Sequence, residues 1–306
     1  MGIAVNPRLL VIRHHLGQRR GLATVTQVQA SIEPQAGIPG VYTLTLNRPE
    51  AKNSLGRQLM TQLREALHGL KLDQAKCLLI QSNVAGTFCA GADLKERAAM
   101  TPEEGGEFVK MLRATFSTIA DLPVPTIAVV DGYAIGGGTE LALAADLRVA
   151  GPSAQFSLRE TRLGIIPGAG GTQRLPRLIG RSKAKEMIFT GRFVGPAEAL
   201  NIGLADQMTM SGSAEQLALE LAAQIAQAAP IALRSAKAAI NEGLETDLAN
   251  GMKVEEQQYA KVLGSSPASL FCQLATHRCF CLLAFAYGML NLLCACLPLC
   301  TSSGSM

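Results

Sequence analysis

The sequence predicts an α/β fold, and three observations carry that expectation. Residues alternate in a strand pattern from Val41 to Leu46, leucines then recur every fourth position at Leu55, Leu59, Leu63 and Leu67, and a short apolar run follows at 77–81. Strand, helix, strand in that order is the unit from which α/β sheets are built. A second buried run at 126–130 leads directly into a glycine cluster that opens another helix, and from about residue 191 the pattern is mostly helical. At 306 residues, 48% of them hydrophobic and 17% charged, the chain can bury a full core as one large domain or a domain with an appendage.

Each element has a local reason. Asn47-Arg48-Pro49 ends the first strand, and Ser54 is placed to cap the leucine helix. Thr101-Pro102-Glu103-Glu104 is a capping-box sequence with proline at the first helical position, so a helix is expected from there to about Ala120, with Gly105 and Gly106 weakening its first turn. Pro123 and Pro125 close it. Further on, helices are expected over 182–190 and 196–202, separated by Gly191 and Gly195. Ser213 to Gln216 forms another capping box, ahead of a face formed by Leu217, Leu221 and Ile225. Pro230 begins a helix ending at Gly243, and Asp247 caps the next.

The chemistry concentrates between Gly132 and Arg174. A helix starting within Gly136-Gly137-Gly138 presents unobstructed amides to a ligand, as only glycine permits. Glu140 then stands in the first turn, where the helix dipole favours its ionised form. Glu160 follows a short strand and a loop, and Pro167-Gly168-Ala169-Gly170-Gly171 makes a tight turn that shapes the facing wall. Two carboxylates beside a cradle of amides suit proton transfer next to a carbonyl, where amides hold an enolate oxygen while one carboxylate gives a proton and the other takes one. Ala90-Gly91-Ala92 offers a second close backbone approach.

Other chemistries lack their parts. Of four histidines, His68 is the one outside the first and last segments, which speaks against a Ser-His-Asp hydrolase. Neither HExxH nor CxxC occurs, and no metal is expected. The glycine spacing does not fit a dinucleotide fingerprint, because Gln173 stands where a third glycine is needed. Cys77 and Cys89 read as core or lining thiols.

The segments Gly136 to Glu140, Glu160 to Arg174 and Phe88 to Arg97 together resemble the enoyl-CoA hydratase/isomerase (crotonase) family, over roughly residues 38–263. Within it they are most similar to the mitochondrial enoyl-CoA hydratase and methylglutaconyl-CoA hydratase branch. The resemblance implies a crotonase-like spiral of strand-strand-helix turns with a helical C-terminal portion that builds homotrimers or hexamers. It implies a hydro-lyase of fatty-acid or branched-chain amino-acid catabolism that adds water across the 2,3 double bond of an enoyl-CoA. No separate cofactor is expected, since coenzyme A is part of the substrate. The implied catalytic set is Glu140, Glu160, Ala92, Gly137 and Gly168, with the amides of Ala92 and Gly137 as oxyanion donors, Glu160 protonating the α-carbon and Glu140 activating water. Lys52, Ala92, Asp93, Leu94, Lys95 and Gly137 are the implied contacts to coenzyme A, although Lys52 alone reads equally well as a solvated lysine in a connector. An isomerase, or an RNA-binding homologue, is the alternative; two glutamates rather than one favour the hydratase.

The two ends differ from the body. Residues 1–32 hold Arg8, Arg13, Arg19 and Arg20 but no Lys, Asp or Glu, as in a mitochondrial presequence, so the mitochondrial matrix is the expected compartment; an uncleaved disordered arm is the alternative. Those four arginines supply the whole net charge of +4, and the remainder is formally neutral, which argues against nucleic acid as a partner. The expected division is 33–190 for the spiral core, 191–263 for the helical assembly portion, and 264–306 for a tail that departs from the family. That tail carries six of the eight cysteines, and Arg278 is its one Lys or Arg in place of the family's charged ending. Its length and hydropathy permit a membrane span, but Pro298 and the lack of flanking lysines count against one; a buried helix or a poorly folded end are the other readings.

Overall fold

The computed structural model describes residues 27–265, so the expectations for the leader before residue 27 and for the tail after residue 265 lie outside the described residues. The first strand, β1 (Ala30–Pro34), runs antiparallel to β2 (Val41–Leu46). Residues 30–32, read from sequence as the end of a leader, are therefore part of a sheet. Their backbone is fixed further by the Gln62 side chain, which accepts from the amides of Gln29 and Ala30 at 2.6 and 3.3 Å.

After β2, helix α1 (Arg57–His68) crosses over to β3 (Cys77–Ser82), which pairs parallel with β2. From β3 onward the strands come in pairs that alternate between two sheets. β3, β5 (Thr126–Val130) and β7 (Leu147–Ala150) extend the larger sheet in parallel, while β4 (Thr87–Cys89), β6 (Tyr133–Ile135) and β8 (Gln155–Ser157) form a parallel three-stranded sheet. Helices follow each pair: α2 (Leu94–Ala98) and α3 (Pro102–Ala120) after β4, α4 (Gly137–Ala144) after β6, and a 3-10 turn (Glu160–Leu163) with α5 (Gly171–Ile179) and α6 (Arg181–Thr190) after β8. This is the spiral of strand-strand-helix turns. The strands of the smaller sheet are too short for periodicity to reveal; only the short strand expected ahead of Glu160 has a counterpart there, in β8.

The larger sheet is buried on both faces, as its parallel strands require. Along β3, Leu78 and Ile80 enter the main core, while Cys77 and Leu79 face a second layer; along β5, Ala128 and Val130 do the first, Ile127 and Val129 the second. The second layer is closed by α8 (Ala214–Ala226), whose sheet-facing residues are Ala214, Ala218, Ala222 and Ala226. Sequence favoured Leu217, Leu221 and Ile225 as that face. These only flank it, because alanine lets the helix backbone sit close on the sheet. Ser213 caps α8 through the Gln216 amide.

Two further details differ from expectation. Ser54 does not cap α1: Gly56 is at the cap, and the Ser54 hydroxyl instead meets Asp93 at 3.3 Å. The division at residue 190 also falls on no seam, because after α7 (Pro196–Asn201) the two-residue strand β9 (Gln207–Met208) joins the edge of the larger sheet beside β7. The portion that stands apart is the hairpin of α9 (Pro230–Gly243) and α10 (Leu248–Ser265), in which Gly243 and Gly251 let the helices touch. Lys237 ties it to the body through Asp146 at 2.7 Å and the Val124 carbonyl at 3.0 Å.

The alanine face of α8 predicts a specific sensitivity. Ala222 is fully buried, so Ala222→Leu overfills the layer and is expected to destabilise the protein by about 1–3 kcal/mol in urea unfolding, whereas Glu220→Ala on the exposed side changes it by less than about 0.5 kcal/mol.

Candidate active site

The two glutamates arrive on two chain segments that are stitched together. The first is the end of β6 and the start of α4; the second is the end of β8 and the 3-10 turn. The Gly136 amide donates to the Ser157 carbonyl at 2.7 Å. The fully buried Thr139 hydroxyl lies 2.6 Å from the Ala134 carbonyl oxygen and 3.0 Å from that of Ser157, and accepts from the Ser157 amide at 3.2 Å. Gly136 adopts φ +54°, and a Cβ there would lie 2.7 Å from Oε1 of Glu160. No other residue serves at this position without strain or a clash with the carboxyl group.

Glu140 is 3% exposed, and its Oε1 accepts from the amides of Ala169 and Gly171, each at 2.8 Å. The turn that supplies these amides is gripped from outside. Arg113 of α3 donates through Nε and Nη2 to the Gly168 carbonyl at 3.1 and 3.0 Å, and Arg174 donates to that of Ala169 at 3.0 Å. Burial raises the Glu140 carboxyl above its ordinary value; the two amides, Arg174 and Arg113 oppose this without cancelling it. The helix-dipole expectation of a readily ionised Glu140 is thus corrected: desolvation outweighs position in the first turn.

Glu160 is less constrained. Its 3-10 turn is anchored by Thr161 to the Ile188 carbonyl and by Arg162 to that of Thr190, both at 2.7 Å. Its Oε2, however, is buried without a hydrogen-bond partner. Burial pushes its carboxyl up to about 7; its own backbone amide opposes that shift and the charge of Glu140 reinforces it. A buried, unpartnered carboxyl oxygen near neutrality is the expected state of a proton donor awaiting an acceptor.

The amide cradle also assembles. Leu55 donates to the Gly91 carbonyl at 2.7 Å and accepts from the Asp93 amide at 3.3 Å, so the intervening Ala92 N–H points away from this bridge. It lies beside the start of α4: Ala92 N is 3.9 Å from where a Gly137 Cβ would stand. Gly91, at φ +86°, permits the approach, since a Cβ there would fall 2.5 Å from the Ile135 carbonyl oxygen. Among the described residues, the N–H groups of Ala92 and Gly137 meet no protein acceptor.

The remaining residues singled out from sequence lie around this centre. Gly168 contributes its carbonyl to Arg113 and contacts Val109 of α3 by its bare Cα. Asp93 is buried and committed to structure: it caps α2 by accepting from the amides of Lys95 and Glu96, and it pairs with Arg48 at 2.8 Å. Burial works against its charge, but the Glu96 amide, Arg48 and the Lys95 amide outweigh it and hold the carboxyl below the ordinary range. Leu94, Lys52 and Lys95 are exposed, and the Lys52 carbonyl accepts from Ala90 at 3.0 Å, which places both lysines beside the Ala90–Ala92 segment. Cys77 and Cys89 are buried, with burial raising each thiol to about 12, far from a nucleophile's range. Sequence reasoning missed Thr139, Ser157 and Arg113. Thr139 stands inside the glycine-glutamate motif, where its spacing could have drawn attention; Arg113 carries no local signal. Beside the turn, α3 walls a cavity of about 530 Å³ lined by Arg97, Met100, Val109, Lys110 and Arg113.

The enoyl-CoA hydratase/isomerase family profile matches residues 37–267. A probable enoyl-CoA hydratase 2, mitochondrial, of Arabidopsis thaliana is 48% identical over 227 residues, covering 74% of this chain and 75% of its own. The human methylglutaconyl-CoA hydratase, mitochondrial, is 50% identical over 229 residues, covering 73% and 68%. The crystal structure of an enoyl-CoA hydratase from Bacillus anthracis superposes with a TM-score of 0.77 at 42% identity, covering 80% of this chain and 95% of that one.

The raised Glu160 carboxyl predicts a signature in stability. A carboxyl with a folded-state pKa above its unfolded value costs stability as pH rises from about 4.5 through about 7. Glu160→Gln removes that cost. The variant is expected to match the parent in denaturant unfolding near pH 4.5, and to exceed it above pH 7 by up to about 3 kcal/mol.

Proposed function

The chain belongs to the enoyl-CoA hydratase/isomerase family, and on that premise we propose that it is a hydro-lyase adding water across the 2,3 double bond of an enoyl-CoA thioester. The observation that carries this reading is the pair of neighbouring carboxyls with unequal partners, Glu140 accepting from two amides and Glu160 with an unpartnered oxygen, beside the amides of Ala92 and Gly137. The thioester oxygen lies between the N–H groups of Ala92 and Gly137, which stabilise the charge it gains as the enolate forms. Glu140, whose carboxylate form two amides and two nearby arginines support against burial, takes a proton from water as the oxygen bonds to the β-carbon. Glu160, whose carboxyl is held near neutrality, gives its proton to the α-carbon as the enolate collapses to the 3-hydroxyacyl product. Proton exchange with solvent then restores both groups. Moving a double bond needs one carboxylate; adding water uses both, which supports the hydratase over the isomerase.

Lys52 and Lys95 are exposed at the rim, without an ion-pair partner among the described residues, and serve the phosphates of coenzyme A. The acyl chain extends into the cavity along α3, where the Arg97 guanidinium favours a chain ending in a carboxylate, as the methylglutaconyl group in the human relative's name does; Lys110 is taken up by Glu107 and Arg113 by the Gly168 carbonyl. The mitochondrial relatives support a mitochondrial enzyme, with the matrix as its compartment. The α9–α10 hairpin exposes Ile240, Leu244, Leu248, Met252, Tyr259 and Leu263, an apolar surface suited to the trimer or dimer of trimers that the family resemblance implies.

Crotonyl-CoA hydration, followed by loss of the conjugated absorbance, tests the assignment. Glu140→Gln and Glu160→Gln are each expected to lower kcat by about 10²–10⁴-fold with KM changed far less. Parent-like turnover in either variant would contradict it.

A further inference from the structure

Two amides fix Glu140, and the structure backs them differently. The Gly171 N–H belongs to the same peptide unit as the Gly170 carbonyl, which accepts from the amides of Gln173 and Arg174 at 3.0 and 2.8 Å as α5 begins. That donor is held by secondary structure. The Ala169 N–H belongs to the same peptide unit as the Gly168 carbonyl, whose hydrogen bonds come from the Arg113 guanidinium. The second donor is therefore held in place by a side chain from another element, reaching across 55 positions of sequence. Val109, one turn earlier on α3, packs against Gly168 and keeps the helix in register with the turn.

We infer that Arg113 is a positioning residue for the hydration step: by clamping the Gly168–Ala169 peptide it aims one N–H at Glu140 and sets how readily Glu140 takes the proton from water. This deepens the hydratase reading and rests on it. Two effects act in the same direction. The guanidinium polarises the peptide so that its N–H is a stronger donor at the far end, and its charge favours ionised Glu140 directly. The charged groups that bear on Glu140 are Arg174 from α5, Arg113 from α3 and Glu160 from the 3-10 turn. Arg174 is partly occupied by the Ser117 hydroxyl and the Ala169 carbonyl, and its loss would disturb the start of α5. Arg113 is exposed, so it can be changed without opening the core.

The test compares the parent with Arg113→Met, Arg113→Lys and Lys110→Met, using crotonyl-CoA, whose acyl group is uncharged, so that the acyl end does not contribute. Lys110 lies on the same helix, is exposed and pairs with Glu107, so Lys110→Met removes an equal charge without touching the turn. In Arg113→Met, kcat falls by about tenfold, the size of one hydrogen bond to a charged group, with KM little changed, and the acid limb of the kcat profile moves to higher pH. Arg113→Lys returns the limb toward the parent, and Lys110→Met leaves it in place. Carboxyl ¹³C titration of Glu140, assigned by its absence in Glu140→Gln, shows the same upward movement in Arg113→Met without reference to turnover. An unmoved Glu140 titration in Arg113→Met, or an equal movement in Lys110→Met, overturns the inference. A parent inactive on every enoyl-CoA instead overturns the hydratase reading, and the carboxyl titration then decides the role of Arg113 alone.

Discussion

The Ser157 carbonyl, shared between the Gly136 amide and the Thr139 hydroxyl, is the contact on which the site depends. It joins the last residue of β8 to the first turn of α4, and so joins the segment carrying Glu160 to the segment carrying Glu140. A spiral in which each strand pair sends one strand to a second sheet makes this contact possible, because β6 and β8 become neighbours in register, with Ile135 beside Ser157. Each helix that follows then starts from the same edge of that sheet. The chemistry is thus gathered at one edge by topology, and the smaller sheet exists for this placement more than for its share of core.

Burying two carboxyls side by side is costly, and the fold handles them unequally. Glu140 receives two amides and two nearby arginines, enough to oppose much of its desolvation. Glu160 receives little, and one of its oxygens has no partner. The asymmetry separates the proton affinities of chemically identical groups, which is how one site holds an acid and a base together. Neighbouring glycines are fitted to the same end: at Gly136 a methyl group would strike the Glu160 carboxyl, and at Gly171 it would lie 3.0 Å from Oε1 of Glu140.

Much of this was legible in the residues. The strand from Val41 to Leu46, the boxed helix Pro102–Ala120, the strand Thr126–Val130 and the helix Pro230–Gly243 lie where pattern and capping rules put them. Gly136 and Glu140 could be placed because a glycine cluster at a helix start has few purely structural uses. What escaped was set by tertiary contact. Strands of three residues have no readable period, and the alanine face of α8 is chosen by the distance to the sheet rather than by hydrophobicity. The ionisation of Glu140 was misjudged because first-turn position is visible in sequence and burial is not. Ser54 met the composition of a cap, but its hydroxyl was drawn to Asp93 and its carbonyl to Arg48, within the brace that presents Ala92.

The central claim is that burial and a charged neighbour hold Glu160 protonated near neutrality while Glu140 stays available as the base. Carboxyl ¹³C titration of Glu160, in the parent and in Glu140→Gln, tests this most directly. The account predicts an apparent pKa of about 7 in the parent, falling in Glu140→Gln as the neighbouring charge is removed, yet remaining above 4.5 because burial is the larger cause. A Glu160 that titrates near 4.5 in the parent would contradict it.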